Sequence, residues 1–410
     1  MVLLAACTGV RSGDNLPGAT PSPTGPTAAT NPDYIRLLVP SGPVQNGEVD
    51  PGTDWVTPFE KQSGCRVDLV TVPTDAAAYA DLTTGEGETY YDGVLASPEL
   101  TGRLVSAKAV APLTTSRISG YSRISPRLAR SAAEVSGTST YGLPYLWDSY
   151  VTGYAAGQVK PAPQSWTALF SPASAKTHSG KITVPQDQVT LGLAALYLKS
   201  AQPSLGITDP FELTRTQLTA AEHAVQAVRG DISTYWSSDS TVVGQLGDGQ
   251  DVLGAVLTHQ INEMTRAGLD TAGVPALTEA TGSAASGGGA GTAVAAVDSW
   301  LVSAHAANTT CTYKWLSWTT SNYVQERASA FTSAAPAVPA ACTGPAAANC
   351  ADYHMSTLPT ARNLVFEHLP EASCGQSGGC ASYADWQTAW KHITVAAGLP
   401  AAPKVVASPG

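Results

Sequence analysis

The stretch from Tyr141 to Tyr154 places an aromatic ring next to a carboxylate, a combination that can bind a cation. It reads YGLPYLWDSYVTGY and is mostly apolar, as expected of a buried strand, yet Asp148 follows Trp147 in its middle. A buried carboxylate is costly unless it is paired. Neighbouring residues of a strand point to opposite faces, so only one of the two side chains can face a given site. The stretch is therefore a candidate binding segment.

Other polar and aromatic residues also stand at positions suited to binding. Asp298 and Trp300 are two residues apart in AVDSWLV, which reads as a strand, so they share one face. Ser97 ends the run YYDGVLAS and Glu99 follows it by two residues, and the carboxyl ends of strands are where open α/β sheets bind ligands. Trp236, in TYWSSDS, precedes a loop that could reach such a site, although core packing is the stronger expectation for it.

Patterns typical of enzymes and metal sites are absent from the sequence. There is no G-x-S-x-G, no H-E-x-x-H, no P-loop and no G-x-G-x-x-G opening a helix. The histidines at 259, 305 and 354 have no metal-binding spacing, and SGGGAG at 286–291 lacks the Lys-Ser/Thr of a phosphate loop. We therefore expect no enzyme activity, no metal and no cofactor.

Length and charge narrow the class of protein. A chain of 410 residues is too long for one ordinary core, so two lobes are expected. Apolar residues make up 43% of it, and no run reaches the length of a transmembrane helix. The formal net charge of −10 argues against nucleic-acid binding and is compatible with cationic partners.

The N-terminal region predicts an exported lipoprotein. LAAC at 4–7 resembles a bacterial lipobox, in which Cys7 would carry the lipid. The basic and long apolar parts of a signal peptide are missing, so we expect a trimmed start. Residues 8–33 are rich in Pro, Gly, Ser and Thr and predict a disordered tether. The lipid would be the only membrane anchor, on the outer face of the cytoplasmic membrane.

The other six cysteines suit disulfides formed outside the cytosol. Two pairs could each close a short loop, and the last two cysteines would then have to meet in space. Many other connectivities remain open. The favoured pairs are Cys374–Cys380, Cys342–Cys350 and Cys65–Cys311.

Strands and helices alternate along the chain, which predicts parallel sheets with helices on both faces. Strands are expected in YIRLLVP, CRVDLVTV, GKITVPQD and AVAAVDSWLVSA. Helices are expected in ELTGRLVSAKAVAPL, VTLGLAALYLKSA and TAAEHAVQAVRG, and one over 313–331. A flexible loop is expected at 280–292. The fold class is α/β, with the chain passing more than once between two lobes.

In this order the elements resemble the solute-binding proteins of ABC importers, in the spermidine/putrescine-binding group. Five landmarks between 34 and 340 carry the resemblance: DWVTPFEKQSGCRVDLV, YYDGVLASPELTGRLVSAKAVAPL, YGLPYLWDSYVTGY, PQSWTALFSP…GKITVPQD and the segment from AVDSWLV to SAAPAV. The resemblance implies a periplasmic-binding-protein-like fold, in which lobes joined by crossing strands close on a solute. It also implies ABC permease subunits as partners, and we expect a monomer.

The lobe boundaries follow from the resemblance. Residues 34–143 and 304–340 would form lobe one, and 144–303 lobe two with the hinge strands. Residues 341–410 would form a disulfide-containing segment that packs across both lobes.

The resemblance also assigns binding residues. Asp298 matches the family aspartate that grips an amine on the return strand, and Asp187 matches one at the end of the first strand of lobe two. Trp147, Asp148 and Tyr150 would lie on the first crossing strand at the cleft wall. If Trp147 packs, Asp148 binds; if Trp147 stacks on the ligand, Asp148 caps the hinge.

Aromatic residues typical of polyamine sites are missing at several places. VPSGPVQNGEVDPGT has none, Leu257 and Thr258 stand where a tryptophan is expected, and Ala296 precedes Asp298 by two. A cationic solute, a polyamine or another amino compound, is the favoured ligand. A sugar or an amino acid stays open, as does an interaction or adhesion lipoprotein with the same fold.

Overall fold

The structure, a computed structural model, describes residues 33–48, 50–84, 90–274, 291–370 and 379–398. The predicted lipobox, almost all of the tether, most of the loop at 280–292 and Cys374 lie outside these residues. Within them the strands are β1 Tyr34–Pro40, β2 Arg66–Val72, β3 Gly93–Ala96, β4 Val110–Ala111, β5 Val135–Ser136, β6 Ser139–Thr140, β7 Leu143–Ala155, β8 Ile182–Pro185, β9 Ile232–Trp236, β10 Leu253–Leu257, β11 Thr271–Val274, β12 Ala293–Ser303, β13 Ala335–Pro336 and β14 Leu364–Phe366.

Helices cover the faces of the sheet. In the same described ranges they are α1 Val56–Ser63, α2 Asp75–Thr83, α3 Pro98–Ser106, α4 Pro126–Ala129, α5 Thr167–Phe170, α6 Pro172–Lys176, α7 Val189–Ala201, α8 Arg215–Val228, α9 Asp239–Gly247, α10 Thr258–Arg266, α11 Thr309–Thr319, α12 Asn322–Thr332, α13 Ala347–Asp352 and α14 Tyr383–Ala396. None of them is both long and apolar enough to cross a lipid bilayer.

Two long strands connect the halves of the sheet. The strand order is β2-β1-β3-β12-β7-β10-β8-β9, so β12 and β7 stand in the middle. They pair with each other antiparallel, whereas β1 pairs in parallel with β2 and β3, and β8 pairs in parallel with β9 and β10. The predicted crossing strands are therefore β7 and β12.

The hydrophobic core divides into two parts, which we call the first and second lobes. The first lobe packs around β1–β3, α1 and α11, with Trp55, Trp300 and Trp315 at its centre. The second packs around β8–β10, α7 and α8, with Trp166 and Phe170 at its centre. These two lobes are the predicted α/β architecture. The boundaries proposed from the sequence remain a prediction.

The C-terminal segment contributes to both cores. Its part at 350–364 packs in the first lobe, and helix α14 packs against α8 of the second. Strand β14 pairs in parallel with β12. The segment thus adds a strand at the junction of the lobes, which the sequence did not indicate.

Helix ends next to the cleft are fixed by local capping. Thr74 accepts from the N–H of Ala77 at the start of α2, and Ser97 accepts from the N–H of Leu100 at the start of α3, where Pro98 occupies the first turn. Such caps satisfy backbone donors that an α-helix leaves unpaired. Each cap follows directly on a strand, so the helix N-termini gather at the strands' carboxyl ends.

Two predicted helices end earlier than the sequence suggested. Helix α3 stops at Ser106 because Lys108 adopts a left-handed conformation with φ 58°, and β4 follows. The helix expected over 313–331 is two helices, α11 and α12. The second begins anew because Ser321 caps it by accepting from the N–H of Val324.

Two of the predicted disulfides are confirmed. Cys65 and Cys311 are joined with Cα atoms 5.9 Å apart, which ties β2 to α11 across a separation of 246 residues. Cys342 and Cys350 are joined with Cα atoms 5.7 Å apart. The third predicted pair involves Cys374, which lies outside the described residues.

Candidate functional site

A cavity of about 440 Å³ opens between the lobes where β7 and β12 cross. Its walls come from segments that follow β1, β2 and β3 in the first lobe and β8, β9 and β10 in the second. It therefore lies at the carboxyl ends of the strands, the usual ligand position in open α/β sheets. We call it the cleft. Its carboxylates belong to Asp75, Glu99, Asp148, Asp187, Asp239, Glu263, Asp298 and Glu367.

Other cavities lack this position. One of about 660 Å³ lies on the surface of the first lobe between α1 and α11, and its charged lining residues are basic. Another of about 410 Å³ lies on the opposite side of β7, where Ser149 and Val151 face it. Neither of these two cavities lies where the strand ends of both lobes meet. The cleft is therefore the stronger candidate for the ligand site.

Three adjacent strands form the floor of the cleft. Asp148 in β7 pairs with Ala296 in β12. Strand β14 lies on the other side of β12, and the N–H of Glu367, just beyond its end, donates to the carbonyl of Ala295 at 2.8 Å. Asp298 follows Ala296 by two residues, and both line the cleft. The floor therefore has a methyl group at its centre and carboxylates around it.

Trp147 packs in the core of the first lobe, although it also borders the cleft. Its side chain is 1% exposed, its Nε1–H donates to the Met355 sulfur at 3.3 Å, and its ring meets that of Tyr353 with centroids 5.3 Å apart. The sequence left two arrangements open for this pair. The position of Trp147 is that of the first arrangement, in which Trp147 packs in the core and the side chain of Asp148 lines the cleft.

Asp148 is nevertheless already paired. Its Oδ1 accepts from the N–H of Ser149 at 2.6 Å and from that of Thr258, at the start of α10, at 3.0 Å. Its Oδ2 lies 2.6 Å from Nδ1 of His259, whose Nε2 lies 3.2 Å from Asp239. Burial alone would lower the pKa of His259, but the two carboxylates raise it to about 10. The imidazolium therefore neutralises Asp148 before any ligand enters.

Asp298 and Glu367 are different, because their carboxylates make no hydrogen bond or ion pair with the residues that the structure describes. Burial raises the pKa of Asp298 to about 7, with further contributions from Asp75 and Asp148. Burial likewise raises the pKa of Glu367 well above its usual range, and the charge of Asp187 adds to this. Among the residues that the structure describes, neither carboxylate has an ion-pair partner.

Asp187 enters the cleft from the second lobe, just past β8. Its Oδ1 accepts from the N–H of Val189 at 3.0 Å at the start of α7. It keeps solvent-exposed surface in the open cleft while protein surrounds it on the other sides. This burial, with the charge of Glu99 nearby, raises its pKa to about 7.

Ser97 and Glu99 line the cleft but are engaged within the protein. The Ser97 hydroxyl donates to Asp75. Glu99 accepts from Gln188 Nε2 of the second lobe at 2.8 Å and from the hydroxyl of Tyr383 on α14. Glu99 therefore links the first lobe to the second.

The remaining predicted residues divide between cleft and core. Tyr150 lines the cleft, and burial raises the pKa of its phenol, which stays neutral. Trp300 lies where β12 has entered the first lobe, with its ring centroid 5.6 Å from that of Trp315. Trp236 is buried in the second lobe, where its Nε1–H donates to the carbonyl of Ala255 at 2.9 Å. Neither tryptophan lines the cleft.

Several cleft residues were missed from the sequence. Asp75 follows β2 in the same way that Glu99 follows β3. The rule that ligands bind at the carboxyl ends of strands drew attention to Glu99 and could also have identified Asp75. His259 was considered only for metal spacing, although it stands at the end of β10. Phe331 and Glu367 carried no signal, because no pattern placed α12 or the C-terminal segment at the cleft.

A metal site is not indicated among the described residues, since no three of their His, Cys, Asp or Glu side chains are grouped to hold an ion. The carboxylates of the cleft come from several different segments of both lobes. An elongated organic cation could meet several of them in turn.

Comparison with known proteins gives a family match over most of the chain. The model of the family described as "Bacterial extracellular solute-binding protein" matches residues 54–354. The putrescine-binding periplasmic protein PotF of Escherichia coli is 26% identical over 125 residues, which cover 29% of this chain and 33% of that protein. That alignment thus spans about a third of the relative.

Solved structures with a similar fold bind different solutes. The spermidine/putrescine substrate-binding protein PotD of Streptococcus pneumoniae superposes with a TM-score of 0.64 at 16% identity, covering 88% of this chain and 99% of that one. The binding protein MotA of A. tumefaciens B6, in complex with glucopine, gives a TM-score of 0.61 at 14% identity, covering 89% and 98%. At such identities the likeness concerns the fold.

Proposed function

Because the chain belongs to the bacterial extracellular solute-binding protein family, we propose that it captures a small cationic solute, a polyamine or another cationic amino compound, in the cleft. The family consists of exported proteins that bind solutes for ABC importers and are not enzymes. The proposal concerns the ligand. The observation that carries it is the pair of cleft carboxylates, Asp298 and Glu367, that have no ion-pair partner among the described residues.

The charge balance of the cleft favours a cation. Its lining has eight carboxylates, and among the described lining residues only His259 is basic. His259 is occupied by Asp148 and Asp239. Like charges that are partly removed from water repel each other and raise each other's pKa. A cationic ligand relieves this repulsion, whereas an anion would add to it.

The apolar part of the cleft suits a short hydrocarbon chain. Tyr150 and Phe331 line it, together with Trp147 and the methyl group of Ala296. An ammonium group over an aromatic face gains about 0.5–2 kcal/mol, depending on its desolvation. The small number of rings is consistent with a smaller or more polar amine than one enclosed by a full aromatic box.

Capture would occur by closure of the lobes around β7 and β12. Glu99 already contacts Gln188 and Tyr383 across the cleft, so the first contacts of closure are in place. We further propose that the protein is a monomer, anchored through a lipid on Cys7, that hands its solute to the ABC permease.

A second candidate is a ligand that combines an amine with other polar groups. The structure of MotA in complex with glucopine indicates that this fold also accommodates solutes other than polyamines. A compound of this kind could place its amine against Asp298. A neutral sugar has no group that relieves the charge of the cleft, so we rank it lower.

Thermal-shift screening tests the proposal. Polyamines, amino acids and sugars are compared at one pH and one ionic strength. A ligand that binds only the native state stabilises it by about 2.7 kcal/mol at a hundredfold excess over Kd. We expect polyamines or related amines to raise the Tm and sugars to leave it unchanged. The reverse order would contradict the proposal.

A further inference from the structure

Glu367 holds a position in the cleft that nothing in the family match assigns. It lies beyond the matched region, which ends at residue 354, and it follows β14 in the C-terminal segment. It lines the cleft together with Asp298, and its backbone is fixed by the hydrogen bond to Ala295. The side chain is therefore presented from the end of a sheet strand.

The sheet geometry sets the spacing of the two carboxylates. Glu367 stands beside Ala296, because Phe366 pairs with Ala295 in the parallel ladder. Asp298 is two residues further along β12. With strands about 4.8 Å apart and a rise of about 3.3 Å per residue, the Cα atoms of Glu367 and Asp298 are about 8 Å apart. Each can therefore meet its own cationic group.

The third carboxylate of the floor does not compete for the ligand. Asp148 lies on the other side of Ala296, where His259 neutralises it. The floor thus presents two carboxylates that lack a partner among the described residues, with the methyl group of Ala296 beside the line that joins them. A ligand chain can run past that methyl group from one carboxylate to the other.

We propose that Glu367 is an ammonium-binding residue and that Asp298 and Glu367 together select solutes with two separated cationic nitrogen atoms over monocations. This inference rests on the proposed function, because it requires a cation in the cleft. Beyond that function, the inference names a residue that determines specificity and states that the preferred solute carries two positive charges. The raised pKa of Glu367 agrees with it, since a cation must arrive before the carboxyl group is readily ionised.

The test compares putrescine with butylamine by isothermal titration calorimetry. The two amines share the same carbon chain and differ in one ammonium group. The wild-type protein is expected to bind putrescine at least on the order of 30-fold more tightly than butylamine. Glu367→Gln should lose that preference, chiefly by weaker binding of putrescine, while its affinity for butylamine changes little.

A matched control is Glu326→Gln, on α12 outside the cleft lining. It should keep the preference, and the Tm of each ligand-free variant shows whether it is folded. Equal binding of both amines by the wild type, or a retained preference in Glu367→Gln, would overturn the role of Glu367 and leave the proposed function standing. Absence of binding by either amine, or by any other cation, would overturn both.

Discussion

Replacing His259 by glutamine is the most informative single change in the cleft. The amide of Gln can still donate one hydrogen bond to Asp148, but the positive charge between Asp148 and Asp239 is lost. The variant therefore separates the charge of His259 from its shape. We expect it to fold and to be measurably less stable without ligand.

The size of the effect follows from the geometry. His259 Nδ1 and Asp148 Oδ2 are 2.6 Å apart, and their side chains are only 16% and 11% exposed. Breaking a buried ion pair costs about 3–5 kcal/mol, whereas an exposed pair contributes about 0–1 kcal/mol. Because the pair is mostly buried and glutamine keeps one hydrogen bond, we expect a loss of about 2–3 kcal/mol in the free energy of unfolding.

Urea unfolding of ligand-free protein at several pH values measures this loss. The pKa of His259 is about 10 in the folded protein and 6.5 without partners, so its stabilisation is complete below pH 6.5 and is lost as the pH rises through 10. The difference between wild type and His259→Gln should therefore be largest near neutral pH and should shrink in alkali.

Asp148→Asn is the matched control. In its background the change of His259 should cost much less, because the main partner of the imidazolium is gone. A loss below about 0.5 kcal/mol in the single variant, the size of an ordinary surface change, would refute the reasoning. So would a difference that does not vary with pH.

Three further predictions concern binding and stability. Since the pKa of Asp298 is about 7 without ligand, affinity for a cation should rise between about pH 5 and about pH 8 in calorimetric titrations, and Asp298→Asn should flatten that rise. Replacing both Cys65 and Cys311 by alanine should cost about 3 kcal/mol more in urea unfolding than removing the bridge at 342–350, because their separations are 246 and 8 residues; an equal cost would contradict this. Glu99→Gln should weaken solute binding less than Asp298→Asn, because Glu99 already has partners; a larger effect would show that Glu99 contacts the solute directly.

Local sequence patterns were sufficient to predict most of the fold. The apolar helix α7 spans the predicted VTLGLAALYLKSA, and the long apolar runs at β7 and β12 are the crossing strands. A strand that is buried on both faces appears in the sequence as a nearly continuous apolar run, so it can be recognised from the sequence alone. The break between α11 and α12 was missed because the helical pattern of apolar residues continues across it. The break is marked only by Ser321, which caps the start of α12.

The cleft was predictable only in part. The rule that ligands meet the carboxyl ends of strands drew attention to Glu99, and the resemblance drew attention to Asp187 and Asp298. The partner of Asp148 could not be predicted, because His259 reaches it through the antiparallel pairing of β10 with β7, a contact between distant parts of the chain. Glu367 depends in the same way on the pairing of β14 with β12.

The central claim is that the cleft binds a cation through carboxylates that have no ion-pair partner in the described part of the chain, and titration of Asp298→Asn tests it most directly. The ligand is the amine that stabilises the wild-type protein best in the thermal-shift screen. The account predicts that Asp298→Asn binds it at least about 30-fold more weakly, equivalent to about 2 kcal/mol, with an unchanged fold. Binding equal to that of the wild type, or a neutral sugar or an anion as the best ligand of the screen, would contradict it.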